Sequence, residues 1–309
     1  MIRSLHHVTA TVDAAQDDLD CYVEALGMRL VKKTVNFDNH NVYHFYYGDE
    51  RGTPGTLMTT FPYGGRGVGV GRHGAGQIGA TSLSVPRGSL DLWRERLGEA
   101  GYAPRSAGER FGDEIVAFDD PSGLVIELIA NDDDRAPWVA HGLTVDSAVR
   151  GIAGVSLLVR DPDPSIAFLV DVLGWDVTGE ESGRTRLAIN RDVPGHRLDI
   201  VHVPDGPDAV NGLGTVHHVA MAVADEENQL TVRERLAGLG VHVTPVLDRQ
   251  YFRSIYFREP GGVLYEVATL PPGFTVDEGL ATLGRDLKLP PWEEANRHTI
   301  ERGLAPVTY

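Results

Sequence analysis

Apolar and polar positions alternate over four short stretches that resemble one another. Residues 3–12 (RSLHHVTATV) match 150–159 (RGIAGVSLLV), and 76–85 (GQIGATSLSV) match 214–223 (GTVHHVAMAV). Partial alternation with β-branched side chains predicts a strand for each. After each strand the apolar spacing changes to that of a helix, over Asp17–Leu26, the residues before Gly174, Leu90–Ala100 and Gln229–Leu239. The helices close on Gly27, Gly101, Gly174 and Gly240, as expected of a residue that takes left-handed backbone at low cost. Two units then end alike, in PSGLVIEL (Pro121–Leu128) and PGGVLYEV (Pro260–Val267). A Pro-x-Gly turn reverses the chain, and an apolar strand carries a glutamate at one offset, Glu127 or Glu266.

These repeats predict an α+β fold of four βαβββ modules. Residues 1–135 hold modules one and two, and residues 148–272 hold modules three and four. A tail over 273–309 has one further helical stretch near Pro291–Gly303. Linkers fall at Gly64–Gly76, where seven of thirteen residues are glycine, at Asn131–Ala148 and at Pro204–Gly214.

Composition narrows the partners. The 309 residues are 42% hydrophobic and 23% charged, which suits folded cores over disorder. Lys plus Arg number 28 against 44 Asp plus Glu, a net charge of −16. Nucleic acid and anionic membranes need a basic footprint, so neither is expected as a partner. Cys21 is the single cysteine, so no intrachain disulfide can form, and it is expected to pack as a small side chain. No apolar run reaches signal-peptide or membrane-span length, which leads us to expect a cytoplasmic, reducing setting.

The candidate chemistry lies at one position of the four first strands. Module one has His6-His7 and module four has His217-His218, while module two has Gly79-Ala80 and module three Ala153-Gly154. Alternation along a strand would aim one histidine of each pair into a concave sheet face and its neighbour away. Together with Glu266, two neutral imidazoles and a carboxylate form a set that suits ferrous iron and leaves positions open. Mn(II) would fit the same donors.

The four-fold βαβββ pattern resembles the vicinal oxygen chelate superfamily of glyoxalase I, fosfomycin resistance proteins and extradiol ring-cleaving dioxygenases. More narrowly, SLHHVT, GTPGTLMTTFP, the HHVA strand, YFRSIYFREPGGVLYE and GFTVDEGLATLGRDLKLPP resemble the hydroquinone-type dioxygenases, from Ser4 into the tail. That resemblance implies Fe(II) on His7, His218 and Glu266. It also implies a pocket for a small aromatic substrate and O2 lined by Tyr256, Arg249, His217, His6 and Thr9. Catechol dioxygenases take all three ligands from their C-terminal two modules, and Gly154 leaves no histidine for that here.

A single metal cavity constrains how the modules pair. Only modules one and four together supply His7, His218 and Glu266, so 1+4 should surround the metal and 2+3 should serve as scaffold. Glu127 then becomes a decoy. The histidines without a repeat partner (His40, His44, His73, His141, His196, His202, His242 and His298) are expected to be structural or exposed. Two other functions compete with ring cleavage. Glyoxalase-type isomerisation uses an acidic ligand from each half, which LMTTFP (Leu57–Pro62) cannot supply. A metal-free, ligand-sequestering resistance protein would lack the triad. Self-association into a homo-oligomer is compatible with this organisation.

Overall fold

The computed structural model describes residues 1–190 and 195–309. Module one contains β1 (Ser4–Val12), α1 (Ala15–Leu19), β2 (Arg29–Asn36), β3 (Asn39–Gly48) and β4 (Leu57–Pro62). Module two contains β5 (Gln77–Pro86), α2 (Leu90–Glu99), β6 (Arg105–Arg110), β7 (Asp113–Asp119) and β8 (Val125–Asn131). Module three contains β9 (Gly151–Val159), α3 (Pro162–Ala167), β10 (Asp176–Glu181), β11 (Arg184–Ala188) and β12 (Arg197–His202). Module four contains β13 (Thr215–Val223), α4 (Glu226–Gly238), β14 (Leu247–Asp248), β15 (Arg253–Arg258) and β16 (Leu264–Thr269).

Helix boundaries depart from the periodicity in ways the caps explain. α4 starts before Gln229 because the Asp225 carboxylate accepts from the Asn228 amide, and two glutamates occupy its first turn. The stretch Asp17–Leu26 divides into α1 and a π-helical run over Asp20–Ala25. The same change recurs after α3, over Phe168–Leu173, so it belongs to the repeat.

The strands form two eight-stranded sheets, ordered β14-β15-β16-β13-β1-β4-β3-β2 and β10-β11-β12-β9-β5-β8-β7-β6. Modules one and four thus share one sheet, and modules two and three the other. Both sheets cross the division of the chain at residues 135–148. In each, two first strands lie antiparallel at the centre, β1 with β13 and β5 with β9. Arg135 ties the sheets together by donating to the carbonyls of Gly55 at 3.0 Å and Ile152 at 2.9 Å.

A β-bulge sits at the histidine position of every first strand. Pairing jumps from Leu5 to His7 and from Thr9 to Ala10 opposite His218 and Val216, leaving His6 and His217 as the extra residues. The second sheet skips Gly79 and Ala153 in the same way. A bulge inserts one residue and shifts the side-chain phase. Leu5, Val8, Ala10 and Val12 all enter the core as a result, and so do Val216, Val219, Met221 and Val223. His7 and His218 turn to the opposite, concave face. Strict alternation from Leu5 or Val216 would have placed them in the core.

The tail straps sheet one along β2. Lys32 is fully buried and pairs with Asp277 and Glu278, each at 2.8 Å. The expected helix over Pro291–Gly303 is shorter than its pattern: a single 3-10 turn at Glu294–Asn296 leads into α5 (Arg297–Gly303). Its Ile300 packs with Val35, Leu289 and Leu304. Among the described residues, no helix is long and apolar enough to cross a membrane.

Candidate metal centre

Three adjacent strands at the middle of sheet one bring the candidate ligands together. β1 and β13 run antiparallel, and β16 runs parallel to β13 with Glu266 opposite Ala220. His7 Nε2 lies 3.2 Å from His218 Nε2, and Glu266 Oε2 lies 3.4 Å from the first and 2.8 Å from the second. All three side chains are buried, and their candidate donor atoms lie within 4.8 Å of one another. Two imidazole nitrogens and a carboxylate oxygen converging in this way fit a divalent transition metal with open positions.

The outer atoms of the three groups are also engaged, which orients the inner ones. His7 Nδ1 lies 2.9 Å from His6 Nδ1, and His218 Nδ1 lies 2.7 Å from His217 Nδ1. The bulges make these contacts between consecutive residues feasible. Ser254 on β15 donates to Glu266 Oε1, leaving Oε2 for the histidines. Sequence reasoning missed this serine, since only the β15–β16 pairing brings it beside Glu266.

The electrostatics favour neutral His218 and charged Glu266. Burial lowers the pKa of His218, with Glu266 opposing only in part. Burial would raise Glu266, yet His7 and His218 outweigh it and hold the carboxyl well below its usual range. His6 and His217 each fall to about 3, through burial first and the adjacent His7 or His218 second.

The triad forms part of the wall of a cavity of about 520 Å³. Phe37, His44, Tyr46, Phe61 and Phe252 give it aromatic walls, and His217, Arg249 and Tyr256 supply polar groups. Arg249 Nε donates to the Tyr256 hydroxyl at 3.2 Å, and its guanidinium lies 5.3 Å from the Tyr256 ring centre. Burial raises the Tyr256 pKa, so the phenol keeps its proton.

Two expected pocket residues lie elsewhere. His6 faces a separate cavity of about 260 Å³ with Tyr251, Phe252, Phe274 and Leu280. Thr9 sits behind the wall, where its hydroxyl lies 2.8 Å from that of Thr59. The Thr59 hydroxyl is in turn 3.1 Å from His44 Nε2, and His44 Nδ1 is 2.9 Å from the Tyr46 hydroxyl. His44, expected to be structural or exposed, is buried and lines the cavity. Nor does His217 point away from the concave face, since the bulge leaves both residues of its pair on the cavity. Cys21 is buried, as expected of a packed side chain.

The second sheet shows how the same positions can be closed to a metal. Glu127 pairs with Arg110 and accepts from Ser82 at 2.7 Å. Asp199 sits in register with Ser156, as Glu127 does with Ser82, and it is held by Arg184 and Arg186. Guanidinium groups here neutralise carboxylates that a cation would otherwise need. A side chain at Gly154 would begin 2.8 Å from the Arg197 carbonyl, so no histidine fits there.

The chain is similar to known proteins over nearly its whole length. Residues 4–128 and 151–267 match the model of the Glyoxalase/Bleomycin resistance protein/Dioxygenase superfamily. A Bacillus subtilis protein named as a putative ring-cleaving dioxygenase, MhqO, is 43% identical over 98% of this chain and 96% of its own. A chlorohydroquinone/hydroquinone 1,2-dioxygenase of Sphingobium indicum is 36% identical over 98% of this chain and 96% of its own. The crystal structure of a putative dioxygenase from Bacillus subtilis superposes with a TM-score of 0.95 at 41% identity, covering 99% of this chain and 98% of that one.

Proposed function

Because the chain belongs to the Glyoxalase/Bleomycin resistance protein/Dioxygenase superfamily and is a ring-cleaving dioxygenase, we propose that it opens a hydroquinone-type ring with O2 at a ferrous ion. The observation that carries this reading is the convergence of His7, His218 and Glu266 beneath an aromatic-walled cavity. These three residues would hold the ion, and Mn(II) suits the same set. A bound metal would supply open coordination for substrate and dioxygen and the redox capacity that ring cleavage needs. A reducing cytoplasm suits such a site, and the role we assign is degradation of aromatic compounds.

The chain's own groups would handle orientation and protons. An imidazole that offers Nε2 as a ligand carries its proton on Nδ1. His218 then donates to His217 Nδ1, which leaves His217 with its proton on Nε2. In this tautomer His217 is a hydrogen-bond donor to the cavity, suited to negative charge developing on a bound oxygen or to returning a proton. Tyr256, its hydroxyl held by Arg249, would fix the ring, while Phe61 and Phe252 would pack against it and exclude water. A hydroquinone reaches a metal through one oxygen where a catechol uses two. It therefore depends more on such groups, each contributing about 0.5–3 kcal/mol.

An isomerase of the glyoxalase type fits less well. Thr59 pairs with Thr9 in the register that Glu266 has with Ala220, so a threonine stands where a second acidic ligand would be. A sequestering protein would have no use for the triad. The test is oxygen uptake by protein loaded anaerobically with Fe(II), comparing methylhydroquinone with catechol and 3-methylcatechol. The hydroquinone should give the higher kcat/KM. A preference for catechols of about tenfold, ~1.4 kcal/mol in the barrier, would overturn the substrate assignment.

A further inference from the structure

Asp38 lies on the turn between β2 and β3, at the mouth of the cavity. The turn is braced. Asn36 Oδ1 accepts from the Asp38 amide at 2.9 Å, and Trp292 of the tail packs edge-on against Phe37. From this position Asp38 reaches across to Arg249 of module four, with Oδ1 3.2 Å from Nη1 and Oδ2 3.0 Å from Nη2. This two-pronged contact is the geometry in which an arginine holds a carboxylate best. The Asp38 side chain is 72% exposed and that of Arg249 only 16%, so the aspartate forms the outer and the arginine the inner half of the pair.

The charges around the cavity leave room for one anion. Glu266 and Asp38 are negative and Arg249 is positive. A divalent ion on the triad brings these groups to a net +1, which one phenolate cancels. A ring that also carried a carboxylate would bring a second negative charge, and the cation suited to meet it is already held by Asp38. The same aspartate meets an incoming anion first.

We propose that Asp38 is a specificity-determining residue that reserves the site for hydroquinone rings without an anionic substituent. It does so by occupying the Arg249 guanidinium that a ring carboxylate would take. The proposal rests on the hydroquinone reading above and adds a limit on ring substituents. Asp38 acts through Arg249 and is a positioning residue, so the informative measurement is a ratio of affinities for two ligands.

The experiment is anaerobic equilibrium binding, by calorimetry, to iron-loaded wild-type protein, Asp38→Asn and Asp38→Glu. The two probes are methylhydroquinone and 3-(2,5-dihydroxyphenyl)propanoate, which differ in a neutral against an anionic substituent, the carboxylate being set too far from the ring hydroxyls to close a small chelate with them. Wild type should favour methylhydroquinone by about tenfold or more, and Asp38→Asn should narrow that ratio about fivefold by gaining affinity for the carboxylated ring. Asp38→Glu keeps the charge and should keep the wild-type ratio. Equal binding of the two probes by wild type, or a ratio unchanged in Asp38→Asn, overturns the proposal and leaves the hydroquinone reading intact. Failure of both probes to bind wild type overturns the two together.

Discussion

At the scale of residues, a ligand is set apart from a look-alike by its partners. Glu266 and Glu127 share one offset in their modules, yet Glu266 faces two imidazoles and Glu127 faces Arg110 and Ser82. Alanine at His7, His218 or Glu266 should each leave the purified protein without iron, measured by metal analysis after reconstitution. Glu127→Ala should retain it, and full iron occupancy in His7→Ala would refute the triad. Ser254→Ala is expected to be milder. Losing an outer hydrogen bond to a ligand weakens metal affinity by about 10–100-fold, which competition with a chelator would read while circular dichroism stays unchanged. Ser254 was invisible as a site residue because it carries no motif; its role exists only through the β15–β16 register.

At the scale of elements, the bulge and the helix anchor matter most. The bulge is repeated in all four first strands, so the module encodes it with or without histidines. The anchor is Asp18 on α1, which accepts from the Tyr47 hydroxyl of β3 at 2.6 Å and from the Thr60 hydroxyl of β4 at 2.5 Å. Burial raises its pKa from 3.8 to about 7, and Asp120, bonded by Tyr22, rises to about 6. For Asp18 the folded value lies above the unfolded one. Its contribution is therefore complete below pH 3.8 and is lost as pH climbs through about 7. Asp18→Asn keeps the neutral form and the acceptor oxygen. Its unfolding free energy in urea should fall less than that of wild type between pH 5 and pH 8. An unchanged pH slope would show that Asp18 is charged in the fold.

At the scale of the whole molecule, the chain brings its two ends together around one site. Module four closes on module one, and the tail then returns across β2 to bury Lys32 between Asp277 and Glu278. The lysine reaches no water, so removing its ammonium leaves the buried Glu278 carboxylate and its neighbour Asp277 without their cation. Lys32→Ala should cost about 3–5 kcal/mol of stability, measured by denaturant unfolding. A loss below about 1 kcal/mol, the range of an exposed pair, would mean that the tail detaches without consequence. Because β2 leads into the turn that carries Asp38, the strap also bears on the mouth of the cavity.

The four modules, the helices with their glycine stops and the position of the histidine pairs follow from the sequence alone. Each is encoded by local spacing that a short segment imposes on itself. Even the pairing of modules one and four could be inferred, since one metal needs its ligands in one cavity. The phase of each strand was decided only in the tertiary structure. Alternation implies that neighbours on a strand part company, but bulges formed between distant strands turn His7 toward Glu266 and leave His217 on the cavity, while His6 lines a separate one. The same holds for His44, Thr9, Ser254 and Asp38. Their roles depend on hydrogen bonds and ion pairs to groups on other strands, and no local pattern of apolar and polar residues records a contact made across a sheet or over a cavity mouth.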